Sequence, residues 1–330
     1  MSHRRIARQT IARFLAVFGG IGLAFSPAAA GTVAITFDDL PIFGLHATAT
    51  EAGAITTGLL DGFRSHHWQV TGFVNEIQLA GPDREQRIGL LRRWLDAGMD
   101  LGNHSYSHLS LTKTPLDAYI ADVARGEAVT RVLDREHGKQ ERWFRHPYLE
   151  TGPTLAIRHG FEAWLKDHGY RVAPVSMENS DWEFAEPYDA AIARHDEAQA
   201  AAIRAAYLDY TAAALPWYRK AAVTLLGREP AFVLLLHASR LNAASIDALA
   251  AILDANGLRS VTLDRAMRDP AYRIADDYVG PDGDEWLTRW SLTLHRDLPY
   301  ASLPKVPAWI ADLDQKIETA APDAQAPPVK

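Results

Sequence analysis

The sequence predicts an α/β fold in which a parallel sheet is wrapped by helices. Three observations carry this reading. Apolar, strand-like runs alternate with stretches of helical periodicity along most of the chain. The run Phe232-Val233-Leu234-Leu235-Leu236 is apolar without alternation, as in a strand buried on both faces. The polar residues able to do chemistry, Asp38-Asp39, His104, Arg145, Asp181 and His237, sit at the C-terminal ends of the strand-like runs. That edge is where parallel α/β sheets build their sites.

The elements follow in order. A first strand, Thr32-Val33-Ala34-Ile35-Thr36-Phe37, ends in the two aspartates. A helix is expected around residues 52–66, then a strand from Trp68 to Val74. Ile88, Leu91 and Leu95 recur at helical spacing within a helix over about 84–97. Residues 99–102 read as a short strand ending at His104, and 116–137 as one long helix. Trp143-Phe144-Arg145 reads as a strand end, 153–167 as a helix and 170–174 as the start of another strand. The Ala-rich stretch 187–225 is helical, with a break expected near Pro216. A helix over 243–255 and a short strand over 260–263 complete the alternation.

The 330 residues are 48% apolar and 23% charged, an ordinary globular composition with room for one large domain or two small ones. A net charge of −7 argues against nucleic acid as the main partner. The chain has no cysteine, which excludes a disulfide framework, a zinc ribbon and a thiol nucleophile. A tight metal site must therefore draw on His, Asp and Glu.

Residues 1–30 have the layout of a secretory signal peptide. Arg4, Arg5, Arg8 and Arg13 precede the apolar stretch Phe14 to Phe25, and Ala28-Ala29-Ala30 offers a small-residue cleavage site. The apolar run is shorter than the roughly 20 residues a membrane span requires. The expectation is an exported protein, periplasmic or secreted, with no membrane span once the signal is removed. Its domain would run over 31–318, with a helical insert over about 187–226, and the Ala/Pro-rich tail 319–330 would be disordered.

Each candidate residue has a chemical and a plain reading. Two adjacent carboxylates repel, so a buried Asp38-Asp39 pair calls for a cation or a proton. One could hold a metal while the other acts as a base; the plain reading is a turn or a helix cap. His104 and His108, four residues apart, would share one face of a helical turn and could meet one metal. Thirteen histidines in the chain make such a pair unremarkable by itself. His237, after a buried run, must be hydrogen-bonded or face a cavity. Arg145 reads alternatively as a surface ion pair, and Asp181-Trp182 as a turn beside a packing tryptophan.

Taken together and in order, five segments resemble the motifs of the polysaccharide deacetylase family. They are Thr36-Phe37-Asp38-Asp39, His104-Ser105-Tyr106-Ser107-His108, Arg145-His146-Pro147-Tyr148, Asp181-Trp182 and Leu234-Leu235-Leu236-His237. The resemblance spans about Thr32 to Leu263. It implies the family's fold, a distorted (β/α) barrel of parallel strands of the NodB-homology, carbohydrate esterase family 4 type. It implies a metal triad of Asp39, His104 and His108 holding zinc, or alternatively cobalt or nickel. It also implies Asp38 as general base, with Arg145 beside it keeping its pKa low. His237 would be the general acid oriented by Asp181, Trp182 a cleft wall, and the Tyr148 N–H an oxyanion donor.

The activity implied is hydrolytic removal of acetyl groups from N-acetylated sugars of a polysaccharide or oligosaccharide. An O-acetyl esterase on xylan or another glycan would use the same residues. A non-catalytic carbohydrate-binding protein of the same fold is the alternative from another class. His146 departs from the family pattern and adds a histidine near the expected metal. The stretch after Asp181 is longer than in compact members and could cap the cleft. Trp286 and Trp290 could form a sugar platform, though docking on the core is the plainer expectation.

Overall fold

A computed structural model of the protein describes residues 31–43, 48–140 and 142–320. The expected signal peptide and nearly all of the expected tail lie outside them. Residues 31–320 carry the fold.

The strands are β1 (Gly31–Leu40), β2 (Thr71–Val74), β3 (Asp100–Asn103), β4 (Trp143–Phe144), β5 (Arg171–Val172), β6 (Phe232–His237) and β7 (Leu258–Val261). All their pairings are parallel, in the order β5-β4-β3-β2-β1-β6, with β7 against the first residues of β1. The sheet then closes on itself. The chain leaving β5 reaches β6, where Ser176 N and Met177 N donate to Val233 O at 3.0 and 3.1 Å. Leu235 N donates to Met177 O at 3.1 Å. The result is an irregular parallel barrel, as the sequence motifs imply.

Helices wrap it: α1 (Ala49–Ser65), α2 (Arg84–Asp96), α3 (Leu116–Arg125), α4 (Thr130–Glu136), α5 (Leu155–Asp167), α6 (Asp181–Ala193), α7 (Glu197–Leu226), α8 (Arg240–Ala243), α9 (Ile246–Ala255), α10 (Leu263–Ala266), α11 (Trp286–Leu294) and α12 (Ala308–Ala320). α1 and α2 bury Phe63 and Trp94 against Phe37 of β1, with ring centroids 5.1 and 6.2 Å from it.

Three expectations on boundaries are corrected. The single helix expected over 116–137 is two. The first ends at Gly126, and Glu76 Oε1 accepts from Val129 N, Thr130 N and Thr130 Oγ1 where the second begins. The helix expected over 243–255 starts later, at Ile246, after the short α8 that Ser239 caps. The break in the long Ala-rich stretch falls at 194–196, not at Pro216, which lies inside α7. Asp196 caps α7 by accepting from Gln199 N at 3.0 Å, and His195 takes a left-handed φ of 57°. This cap starts α7 upstream of the proline, and tertiary packing carries the helix through it: Leu215, Trp217 and Tyr218 are all buried. Among the described residues, no helix is long and apolar enough to cross a membrane.

Candidate metal centre and active site

The site grows from an irregularity in β1. Consecutive side chains of a regular strand point to opposite faces, which would send Asp38 and Asp39 apart. Here the β1–β2 register shifts between Phe37 and Leu40, and Asp39 takes a left-handed φ of 61°. Aspartate tolerates that conformation better than most residues. Both carboxylates thereby approach one imidazole. His104 Nε2 lies 3.8 Å from Asp38 Oδ2 and 3.7 Å from Asp39 Oδ1.

His104 and His108 do come together, but not on a helical turn. They stand on an irregular loop after β3, with Ser105 and His108 at φ of 66° and 56°. Side chains divert the backbone from helical bonding. Asn103 Oδ1 accepts from Ser105 N at 2.7 Å, and Ser105 Oγ accepts from His108 N at 2.9 Å. Asp122 on α3 accepts from Tyr106 N and Ser107 N at 3.2 and 3.0 Å. The loop rests on Gly126, where a Cβ would stand 2.4 Å from the Ser105 carbonyl carbon, so no other residue fits.

One donor atom each from Asp39, His104 and His108 lies within 4.8 Å of the others. His104 Nδ1–H donates to the Arg145 carbonyl at 2.8 Å, which orients the ring and leaves Nε2 free to ligate. Burial holds His104 well below, and His108 below, the usual histidine range, so both rings are neutral. Two neutral imidazoles and a carboxylate fit a borderline divalent ion that keeps further positions open.

Arg145 follows β4 and is fully buried. It donates from Nη1 to Asp38 Oδ2 at 3.3 Å and from Nη2 to Thr36 Oγ1 at 3.0 Å. The expected pairing is present, and Arg145 pulls the Asp38 carboxyl down as expected, but burial is the larger influence. Burial pushes the Asp38 carboxyl up to about 6, against the pull of Arg145 and His237. Desolvation outweighs a guanidinium that divides itself between two acceptors. Among the described residues, Asp38 Oδ1 is buried without a hydrogen-bond partner.

The β1–β6 register sets Asp38 beside His237. Asp181 opens α6 and accepts twice from His237, from Nδ1 at 2.8 Å and from the main-chain N at 2.7 Å. Burial disfavours the imidazolium, but the Asp181 charge and hydrogen bond outweigh it and push His237 up to about 9. The Phe43 ring packs on the imidazole at 4.8 Å.

Tyr148 has a φ of 56° in the turn after Arg145, and its ring meets His108 at 4.4 Å. The backbone of Gly283 lies against this turn: a Cβ there would come within 1.8 Å of Tyr148 O. Glu150 ties the turn to the histidine loop, accepting from Ser110 Oγ at 2.6 Å and Thr112 N at 3.1 Å. His146 is not among the clustered ligands. It packs between Phe144 and Phe161, at 5.1 and 5.4 Å, and burial pushes it down to about 3. Trp182 stands on the first turn of α6 and is 40% exposed. Trp286 and Trp290 are buried and serve the core. Asp122, Gly126, Glu150 and Gly283 carry no sequence signal of their own, because each acts through a contact made by folding.

Residues 26–173 match the family model described as polysaccharide deacetylase. The chain is 28% identical over 151 residues to a peptidoglycan-N-acetylglucosamine deacetylase of Bacillus cereus, a match covering 46% of each chain. It is 24% identical over 158 residues to a chitin deacetylase of Arthroderma benhamiae, covering 48% of this chain and 37% of that one. The match thus spans less than half the length of these relatives. Among solved structures, a carbohydrate esterase family 4 pseudoenzyme from Bacillus anthracis is 14% identical. It covers 72% of this chain and 66% of its own, with a TM-score of 0.47. Asp38, Asp39, His104, His108, Arg145 and Tyr148 all lie inside the matched segment. Over residues 26–173 the chain is thus similar to the polysaccharide deacetylase family.

Proposed function

We propose that the protein is a metal-dependent hydrolase that removes acetyl groups from N-acetylated sugars of a glycan. The observation that carries this reading is the convergence of the Asp39, His104 and His108 ligand atoms beside Asp38, with the His237–Asp181 pair alongside. Relatives named as peptidoglycan-N-acetylglucosamine and chitin deacetylases support an acetamido sugar as the substrate class. The arginine-rich, apolar segment before residue 31 supports export to where such glycans lie.

An amide resists hydrolysis because its carbonyl is a poor electrophile and its amine a poor leaving group. Asp39, His104 and His108 would hold a divalent ion, zinc by the chemistry of the donor set, and when bound it would supply Lewis-acid polarisation and acidify water. Asp38 removes the proton of the attacking water. Its pKa near 6 keeps it ionised at neutral pH yet basic enough to accept. Arg145 fixes its position. The Tyr148 N–H donates to the developing oxyanion, a role worth about 3–4 kcal/mol per donor in other enzymes. His237 enters protonated and gives its proton to the leaving nitrogen. Trp182, exposed beside Asp181, forms part of the wall that receives the sugar.

The test is acetate release by purified protein, chelated and then reloaded with zinc or cobalt, on chitooligosaccharides and on acetylated xylan. Metal-dependent release from the chitooligosaccharides is expected. Release from xylan alone would replace the amide reading by the ester one. No release from either, with metal bound, would overturn both.

A further inference from the structure

Behind the His237–Asp181 pair runs a buried chain of hydrogen bonds that ends on α7, the long helix after Asp181. Asn242, on α8, donates from Nδ2 both to Asp181 Oδ2 and to the His237 carbonyl, the latter at 2.8 Å. Tyr207, on α7, donates from its hydroxyl to Asn242 Oδ1 at 2.6 Å. Asn179 donates from Nδ2 to the Tyr207 hydroxyl at 2.9 Å and to Thr211 Oγ1 at 3.0 Å. Asp181, Tyr207, Asn242 and Asn179 are each at most 1% exposed.

The direction of every proton in this chain follows from its inner end. The Asn242 amide faces a carboxylate and a carbonyl, two acceptors, so only its NH2 can point there. Its Oδ1 must then face Tyr207, whose single hydroxyl proton is committed to it. The Tyr207 oxygen is left as an acceptor, which Asn179 fills. A flipped Asn242 would aim its oxygen at the Asp181 carboxylate, a repulsive contact in a dry interior. The Tyr207 hydroxyl adds to that bias, because a flipped amide would also turn its NH2 toward the Tyr207 O–H. Burial raises its pKa well above the usual tyrosine range, so it stays a donor at any working pH.

We infer that Tyr207 is a positioning residue for the proton donor of this site: through Asn242 it locks the Asp181 carboxylate in the orientation that holds His237. The helix that carries it is then part of the site's machinery rather than a lid over the cleft. This inference rests on the hydrolase reading for its catalytic meaning, but its structural content stands apart from it.

The experiment compares the zinc-loaded wild type with Tyr207→Phe, which removes one oxygen and keeps the ring. The first readout is the NMR signal of the His237 Nδ1 proton and its rate of exchange with solvent. In Tyr207→Phe that exchange is expected to quicken at least roughly tenfold, because the acceptor is no longer held. The second readout is the split between substrates. kcat on an acetamido sugar is expected to fall by roughly 10–100-fold with KM unchanged, while an activated acetyl ester loses less than about threefold. Should Tyr207→Phe fail to fold, Asn179→Leu with Tyr207→Phe gives an apolar pair in place of a broken hydrogen bond and is expected to show the same losses. An unchanged Nδ1 exchange rate in the folded variant, or equal losses on amide and ester, overturns the assignment. A wild type inert on both substrates would defeat the hydrolase reading, and the exchange rates would still decide the lock.

Discussion

The Nδ1–H of His104 donates to the main-chain carbonyl of Arg145 across 2.8 Å. A candidate metal ligand and the partner of the candidate base are thus joined directly, and the ring cannot turn without disturbing both. His104→Ala is expected to abolish bound zinc and activity together. Metal analysis of the purified variant checks this, and stoichiometric zinc in it would sink the triad.

Asp38 and Asp39 divide the work of one adjacent pair, since Asp39 faces both histidines while Asp38 faces Arg145. Asp38→Asn is expected to retain the metal and lose roughly 10²–10⁴-fold in kcat. The variant keeps the shape of the side chain, so metal content and rate measured on one preparation separate base from ligand. A near-normal rate would assign the base elsewhere.

With Asp38 as the base and His237 as the acid, a bell-shaped pH profile is expected. Asp38 must be ionised, so kcat/KM rises as pH passes its value of about 6. His237 must be protonated, so kcat/KM falls as pH passes its value of about 9. A cation beside Asp39 favours the ionised carboxylate and disfavours the imidazolium, so both limbs lie at or below these values. Rates across the pH range check the order of the limbs. A rate that keeps climbing beyond the His237 value would remove that histidine as the acid.

His237→Ala is expected to slow amide hydrolysis by roughly 10²–10⁴-fold and an activated ester far less, because a good leaving group needs no proton. Parallel assays on the two substrates decide it. Equal losses would count against proton donation.

Gly283→Ala is expected to push the Tyr148 turn out of place, because the new Cβ would stand within 1.8 Å of the Tyr148 carbonyl oxygen. Overpacking of this kind costs about 1–3 kcal/mol. Thermal denaturation should show the loss, and kcat should fall with it if the turn supplies the oxyanion donor.

What could be read in the sequence is what depends on local pattern. Buried strands announce themselves by apolar runs, and a polar residue that ends such a run lies at the rim of the sheet; Asp38, Arg145 and His237 were visible for that reason. The His104–His108 pair was visible as a spacing, but its loop conformation was not, because Asp122 and Gly126, which impose it, come from a helix and a turn further along the chain. The upward shift of Asp38 was hidden for a similar reason. Arg145 can be anticipated beside it, whereas the depth of burial that outweighs Arg145 is a property of the closed barrel. The helix break misjudged at Pro216 shows that a cap formed by Asp196 decides more than a proline that packing can accommodate.

The barrel closes where the chain after β5 meets β6, and only three main-chain bonds join residues 176–177 to that strand. Asp181 lies just beyond this seam and reaches back across it to the main-chain N–H and the ring of His237. The carboxylate that orients the His237 ring is therefore also the last stitch of the cylinder. Any replacement of Asp181 is expected to loosen the wall and free the His237 ring in one stroke, and the two losses share a single origin.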